Sequence, residues 1–170
     1  MNKKLFITLL VVISVFCMNS VVFAWDTNFD AYSNIYSFQI NTTNTDYVNA
    51  TGNAKTSWNN ATYKVGLSAV TSSSNKVNWN SSFATGYGLY KHYSLLNYFT
   101  ITIYDGGIVA DFTYTNLPYV RRSVVVHEMG HSLGLAEWTA VTCIMNQNRD
   151  RSQIFVPQSD DIAGVNALYY

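Results

Sequence analysis

The chain of 170 residues carries 3 histidines and only two glutamates, and four of these five residues fall in one window, His127 to Glu137. His127 and His131 are four residues apart, so on a helix they project from one face and can grip one metal ion. Glu128 adjoins the first ligand, where its carboxylate reaches a water polarised by the ion rather than the ion itself. Zinc lowers the pKa of such a water, and a carboxylate acting as general base takes its proton while the oxygen attacks a carbonyl. The run His127-Glu128-Met129-Gly130-His131 therefore reads as a catalytic zinc site for hydrolysis, led in by the apolar run Val124-Val125-Val126 as a buried helix would be.

The motif continues as His127-Glu128-x-x-His131-x-x-Gly134-x-x-Glu137. In this form it resembles the metzincin metallopeptidases, which carry a third His where this chain has Glu137. The glycine lets the chain turn out of the helix so that the third ligand swings back to the metal. Cys143-Ile144-Met145-Asn146 is similar to the family's Met-turn, whose Met packs beneath the metal; the plainer reading of Met145 is core filler. Pro157 to Val165 resembles the last helix of the matrixin branch, and the likeness covers Arg122 to Tyr169. A carboxylate is a legitimate zinc ligand, so the resemblance implies His127, His131 and Glu137 as the metal set. The alternative leaves Glu137 solvated, with Asp150, Asp160 or water completing the site. The resemblance also suggests calcium held by Asp105 and Asp111, against the simpler reading of two turn residues. Asp160 and Asp161 resemble carboxylates that in matrixins tie the last helix to the Met-turn and the chain start, and they read equally as helix-start charge.

These side chains need elements to hold them. Ile35 to Ile40 reads as a strand, and Tyr47, Ala50, Ala54, Trp58 and Ala61 recur at helical spacing over Asp46 to Ala61. Alternation of Tyr63, Val65, Leu67 and Ala69 predicts a strand; Val77 and Trp79 mark a shorter one. Leu89 to Tyr93 reads as an edge strand, and Tyr98 to Tyr104, rich in β-branched and aromatic residues, gives the strongest strand signal. Asp105-Gly106-Gly107 should end it. A second helix starts near Pro118 and ends at Gly134. A last helix opens after Pro157 with Ser159 as its cap. This order implies an α+β domain. The resemblance adds that it should be a metzincin-like catalytic domain: a twisted mixed sheet with a backing helix and an active-site helix, then a small C-terminal part carrying the Met-turn and the final helix.

The start of the chain bounds the compartment. Lys3 and Lys4, an apolar run from Leu5 to Phe16 too short to span a bilayer, and Val22-Phe23-Ala24 predict a signal peptide over residues 1–24. The expected catalytic domain is then 25–170. It keeps eight Lys or Arg against ten Asp or Glu, which points to neither nucleic acid nor an anionic membrane as a partner. Cys143 is its one cysteine, so no intrachain disulfide is expected and the domain must rest on its core. The function that follows is a secreted, monomeric zinc endopeptidase acting on protein or peptide. Two rivals stay open: a zinc-binding interaction module without turnover, and a zinc hydrolase of a non-peptide amide or ester.

Overall fold

The computed structural model describes residues 31–169, so the leader expected at 1–24 lies outside the described residues. Strand β1 (Ile35–Asn41) turns Tyr36 and Phe38 inward and Ile35 outward, the period-two pattern of a half-buried strand. It pairs in parallel with β2 (Gly66–Val70) on one side and β3 (Lys76–Asn80) on the other. Strand β5 (Tyr98–Tyr104) runs parallel to β3, and β4 (Gly88–Tyr93) lies antiparallel against β5 at the margin. The sheet order is β2-β1-β3-β5-β4. Phe99, Ile101 and Ile103 of β5 are fully buried, as a strand covered on its inner face requires.

Two helices cover that face. Helix α1 (Thr45–Ala61) is capped by Asn44, whose side-chain oxygen accepts from the Asp46 N–H at 2.9 Å. Its stripe of Ala50, Ala54 and Trp58 is buried. The strand expected from Tyr63 begins only at Gly66. Tyr63 stands 92% exposed in the turn after α1, so its place in the alternating pattern does not reflect a buried face. Asn59 clamps that junction: its side-chain amide donates to the Leu67 carbonyl and accepts from the Leu67 N–H.

Asp105-Gly106-Gly107 was expected to close β5 as a turn, and it opens a short helix, α2 (Asp105–Asp111). A side chain on Gly106 would collide with the backbone carbonyls of Ser81 and Ser82, so the glycine serves close approach of two chain segments. Asp105 is buried and accepts from Arg121 Nε and Nη2, both at 2.7 Å. Arg121 belongs to helix α3 (Leu117–Ser132), which carries Pro118 in its first turn. Tyr47 Oη also donates to Asp105, at 2.7 Å, and the Tyr47 ring stacks on Trp79 at 4.3 Å. One buried ion pair thus joins α1, β3, α2 and α3.

Helix α3 is buried along both the sheet side and the α1 side, which is why Val120, Val124, Val125, Val126 and Met129 leave no polar stripe in its middle. Trp58 Nε1 donates to the Val126 carbonyl at 2.9 Å, fixing α3 against α1. Helix α4 (Ser159–Leu168) closes the chain; its cap is Gln158 rather than Ser159. Asp161 sits at the third helical position and accepts the Gln158 N–H at 2.7 Å, forming a capping box. No helix of the described residues is long and apolar enough to cross a membrane.

Candidate metal centre and cleft

The last two turns of α3 carry His127, Glu128 and His131, all buried. The helix stops because Gly134 adopts φ +95°, in the left-handed region that favours glycine. From there the chain reverses, and the Leu135 N–H donates back to the Gly130 carbonyl at 3.0 Å. This turn brings Glu137 over the helix face. Its Oε1 lies 3.0 Å from His127 Nε2 and 3.6 Å from His131 Nε2. Among the described residues, His127, His131 and Glu137 are the group whose ligand atoms converge, all within 4.8 Å of one another.

The far side of each imidazole is committed. His127 Nδ1 lies 2.8 Å from the Ile144 carbonyl, and His131 Nδ1 lies 2.8 Å from the Leu135 carbonyl. A carbonyl only accepts, so in these two bonds each Nδ1 carries the proton, and the shorter carbonyl bond of His127 Nδ1 prevails over the Arg149 Nη1 donor 3.2 Å away. In the neutral rings both Nε2 atoms then present lone pairs toward the Glu137 carboxylate. Three acceptors facing one another call for a cation between them, either a proton or a metal ion. Burial disfavours charge on His131, but the Glu137 and Glu128 carboxylates and the Leu135 carbonyl outweigh it and lift its pKa above the usual histidine value. Burial likewise opposes ionisation of Glu137, and the two imidazoles overcome it and hold the carboxyl at about 2. Two imidazoles and a carboxylate suit zinc, so the residues present fit that ion.

Beneath the site, Met145 is buried and packs on α3 where Gly130 leaves no side chain; a Cβ there would collide with Met145 Sδ. Asp161 draws the preceding turn down, accepting the Ile144 N–H at 2.8 Å and the Met145 N–H at 3.2 Å. Asp161 thus serves both helix start and turn. Asp160 lies in the same first turn of α4. Cys143 is buried and unbridged, with burial pushing its thiol up to about 12. Asp150 is exposed and bonded to Ser152, apart from the converging group. The suggested calcium pair does not assemble: Asp105 is taken by Arg121 and Tyr47, and Asp111 accepts from Tyr87 Oη at 2.6 Å. His92 sits on edge strand β4, outside the converging group.

The structure adds two residues that sequence reasoning missed. Gly88, at the start of β4, gives Glu128 its seat, because a side chain there would overlap the carboxylate. Arg149 is buried behind His127. It donates through Nε to Ser123 Oγ at 3.1 Å, through Nη2 to the Ser123 carbonyl at 3.1 Å, and through Nη1 to the Asn146 carbonyl at 3.0 Å. Burial lowers its pKa to about 10. Neither residue carries a local sequence signal; both matter through tertiary neighbours. A cleft of about 510 Å³ opens over the site, lined by Tyr87, Gly88, Arg149 and Arg151 together with His127, Glu128 and Glu137.

Residues 110–170, about a third of the chain, match the family model described as matrixin, Peptidase M10. That match points to a zinc metallopeptidase over the segment carrying the converging ligands. No curated protein matches the chain. Among solved structures the chain is similar to the GM1-bound form of the ECX AB5 holotoxin, with 16% identity, a TM-score of 0.54, and coverage of 81% of this chain and 80% of that chain. At that identity the likeness concerns the fold alone. It corrects the expectation of a metzincin-like catalytic domain: the fold is a small α+β domain around a five-stranded mixed sheet, and an AB5 toxin is one solved structure that it resembles. The reason is physical. Residues Arg122 to Tyr169 specify a ligand set, a helix end and a turn, and they leave open the topology of the sheet that precedes them. The segment matched is similar to the matrixins, and it is the segment that carries the converging His127, His131 and Glu137.

Proposed function

We propose that the chain is a secreted, matrixin-like zinc endopeptidase in which His127, His131 and Glu137 hold the ion and Glu128 is the general base. The observation that carries this is the convergence of two Nε2 lone pairs and one carboxylate beside a buried glutamate at the foot of an open cleft. Zinc bound there supplies Lewis acidity toward a carbonyl oxygen and lowers the pKa of the water it meets. Glu128 accepts a proton from the attacking water as its oxygen bonds to the scissile carbon. It returns that proton to the amine nitrogen as the C–N bond breaks. Burial of Glu128 against Gly88 keeps the carboxylate in one position for both transfers.

Strand β4 supports the peptide class of substrate. It is the sheet's marginal strand, its first residue Gly88 lines the cleft, and its Tyr90 ring lies 6.4 Å from that of His131. An extended peptide laid along β4 gains main-chain hydrogen bonds and brings a carbonyl over the ion. Secretion rests on the charged, apolar and small-residue leader at 1–24. The domain is read as a monomer, acting without nucleic acid or membrane partners. The test is the release of new amino termini from a denatured protein, expected with zinc, abolished by a chelator and restored by zinc. Termini released equally in the presence of chelator would contradict the proposal.

A further inference from the structure

Two guanidinium groups line the cleft beside the metal centre, and among the described residues no carboxylate lies within ion-pair distance of either. Arg149 is largely consumed by Ser123 and Asn146, so it adds charge from behind His127. Arg151 is different. It is half-buried, and Nη2 donates to the Gln147 carbonyl at 2.9 Å while its other nitrogens have no hydrogen-bond partner among the described residues. Its guanidinium lies over the Tyr87 ring, 4.9 Å from the ring centre. Tyr87 is itself held by its 2.6 Å bond to Asp111. Arg151 is thus fixed by an aromatic platform and one carbonyl, which leaves part of its planar fork for a ligand. The acidic groups of the cleft are already engaged or assigned: Glu137 faces the histidines, Asp111 holds Tyr87, and Glu128 is the proposed base. Nearby burial makes an unpaired cation costly, and a substrate carboxylate would relieve that cost.

We infer that Arg151, backed by Arg149, reads a carboxylate on the peptide next to the scissile bond. The source is an Asp or Glu side chain. This rests on the reading of the site as a peptidase and names its substrate class.

The experiment measures binding to the zinc-loaded, full-length Glu128→Ala variant, so that affinity is read without turnover. The probes are fluorescent peptides that differ only in Glu or Gln at each position flanking the cleavage site, each with a free or an amidated C-terminus. A charge-assisted pair in a desolvated cleft predicts about tenfold or greater preference for the acidic probe at one position. Loss of preference on amidation alone would place the carboxylate at the peptide's C-terminus and overturn the inference, whereas its persistence supports an acidic side chain. Adding Arg151→Gln should erase the preference, and Arg151→Lys should restore part of it. Equal affinity for acidic and neutral probes overturns the inference, as does a preference that survives Arg151→Gln. If the zinc-loaded wild-type chain cleaves peptides without any acidic preference, the inference fails and the peptidase reading stands. If acidic probes bind selectively but nothing is cleaved, the carboxylate site stands and the peptidase reading fails.

Discussion

At the scale of single residues, what decides this site is which atoms are left over once the histidines have made their outward hydrogen bonds. The Ile144 and Leu135 carbonyls take the Nδ1 protons, and the two Nε2 atoms face Glu137. The account predicts that Glu137→Ala weakens zinc binding by more than about tenfold, since even groups one shell further out are worth 10–100-fold. Competition with a chromogenic chelator measures it, and unchanged affinity would remove Glu137 from the ligand set. Glu128→Gln should do the opposite: zinc stays bound while turnover falls about a hundred- to ten-thousand-fold. The convergence of His127, His131 and Glu137 was legible in the sequence because metal-binding chemistry is written in residue type and spacing. Arg149 and Gly88 were not, because nothing in their local sequence records that one lies behind His127 and the other beside Glu128.

At the scale of elements, the end of α3 and the joint beneath it carry the positioning. Gly134 at φ +95° has Ala31 Cβ and Leu168 Cδ1 at 2.9 and 3.1 Å from where a Cβ would sit. Gly134→Ala should therefore cost about 1–3 kcal/mol in urea unfolding, combining left-handed strain with overpacking. It should also weaken zinc binding, because Gly134 aims Glu137. Wild-type stability in that variant would show that the turn is not constrained. The Arg121–Asp105 pair anchors the other end of α3, with side chains only 10% and 4% exposed. Asp105→Ala leaves a buried guanidinium uncompensated and should cost about 3–5 kcal/mol. Most strands and both long helices were readable from period-two and helical spacing. The short helix α2 was not, because its two glycines read as a turn, whereas a tertiary ion pair to Arg121 and the close approach to Ser81 and Ser82 hold it helical.

At the scale of the whole molecule, stability rests on a core that holds no disulfide among the described residues, and that core contains hydroxyl and thiol groups that must stay neutral. Burial lifts the Tyr36 phenol well above its ordinary value, Tyr47 to about 12 under burial and the bond to Asp105, and Cys143 to about 12. A group whose folded pKa is raised contributes stability that is complete below its unfolded pKa and is lost as pH climbs toward the folded one. The melting temperature should therefore hold steady to about pH 8–9 and fall steeply between about pH 9 and 12. Thermal unfolding monitored by circular dichroism checks this, and a flat profile across that range would contradict it. The α+β class could be read from element order, but the sheet order and the structural likeness could not, because a metal motif constrains one helix and its exit rather than the strands before it.

The central claim spans all three scales: a zinc-held, glutamate-driven peptidase built around α3. Its most direct test is a mass-spectrometric digest of a peptide library by the zinc-loaded chain, run beside Glu128→Ala. The account predicts internal cleavage by the former and none by the latter, with zinc at one per chain in both. Cleavage that persists unchanged in Glu128→Ala, or no cleavage by the zinc-loaded wild-type chain, would contradict it.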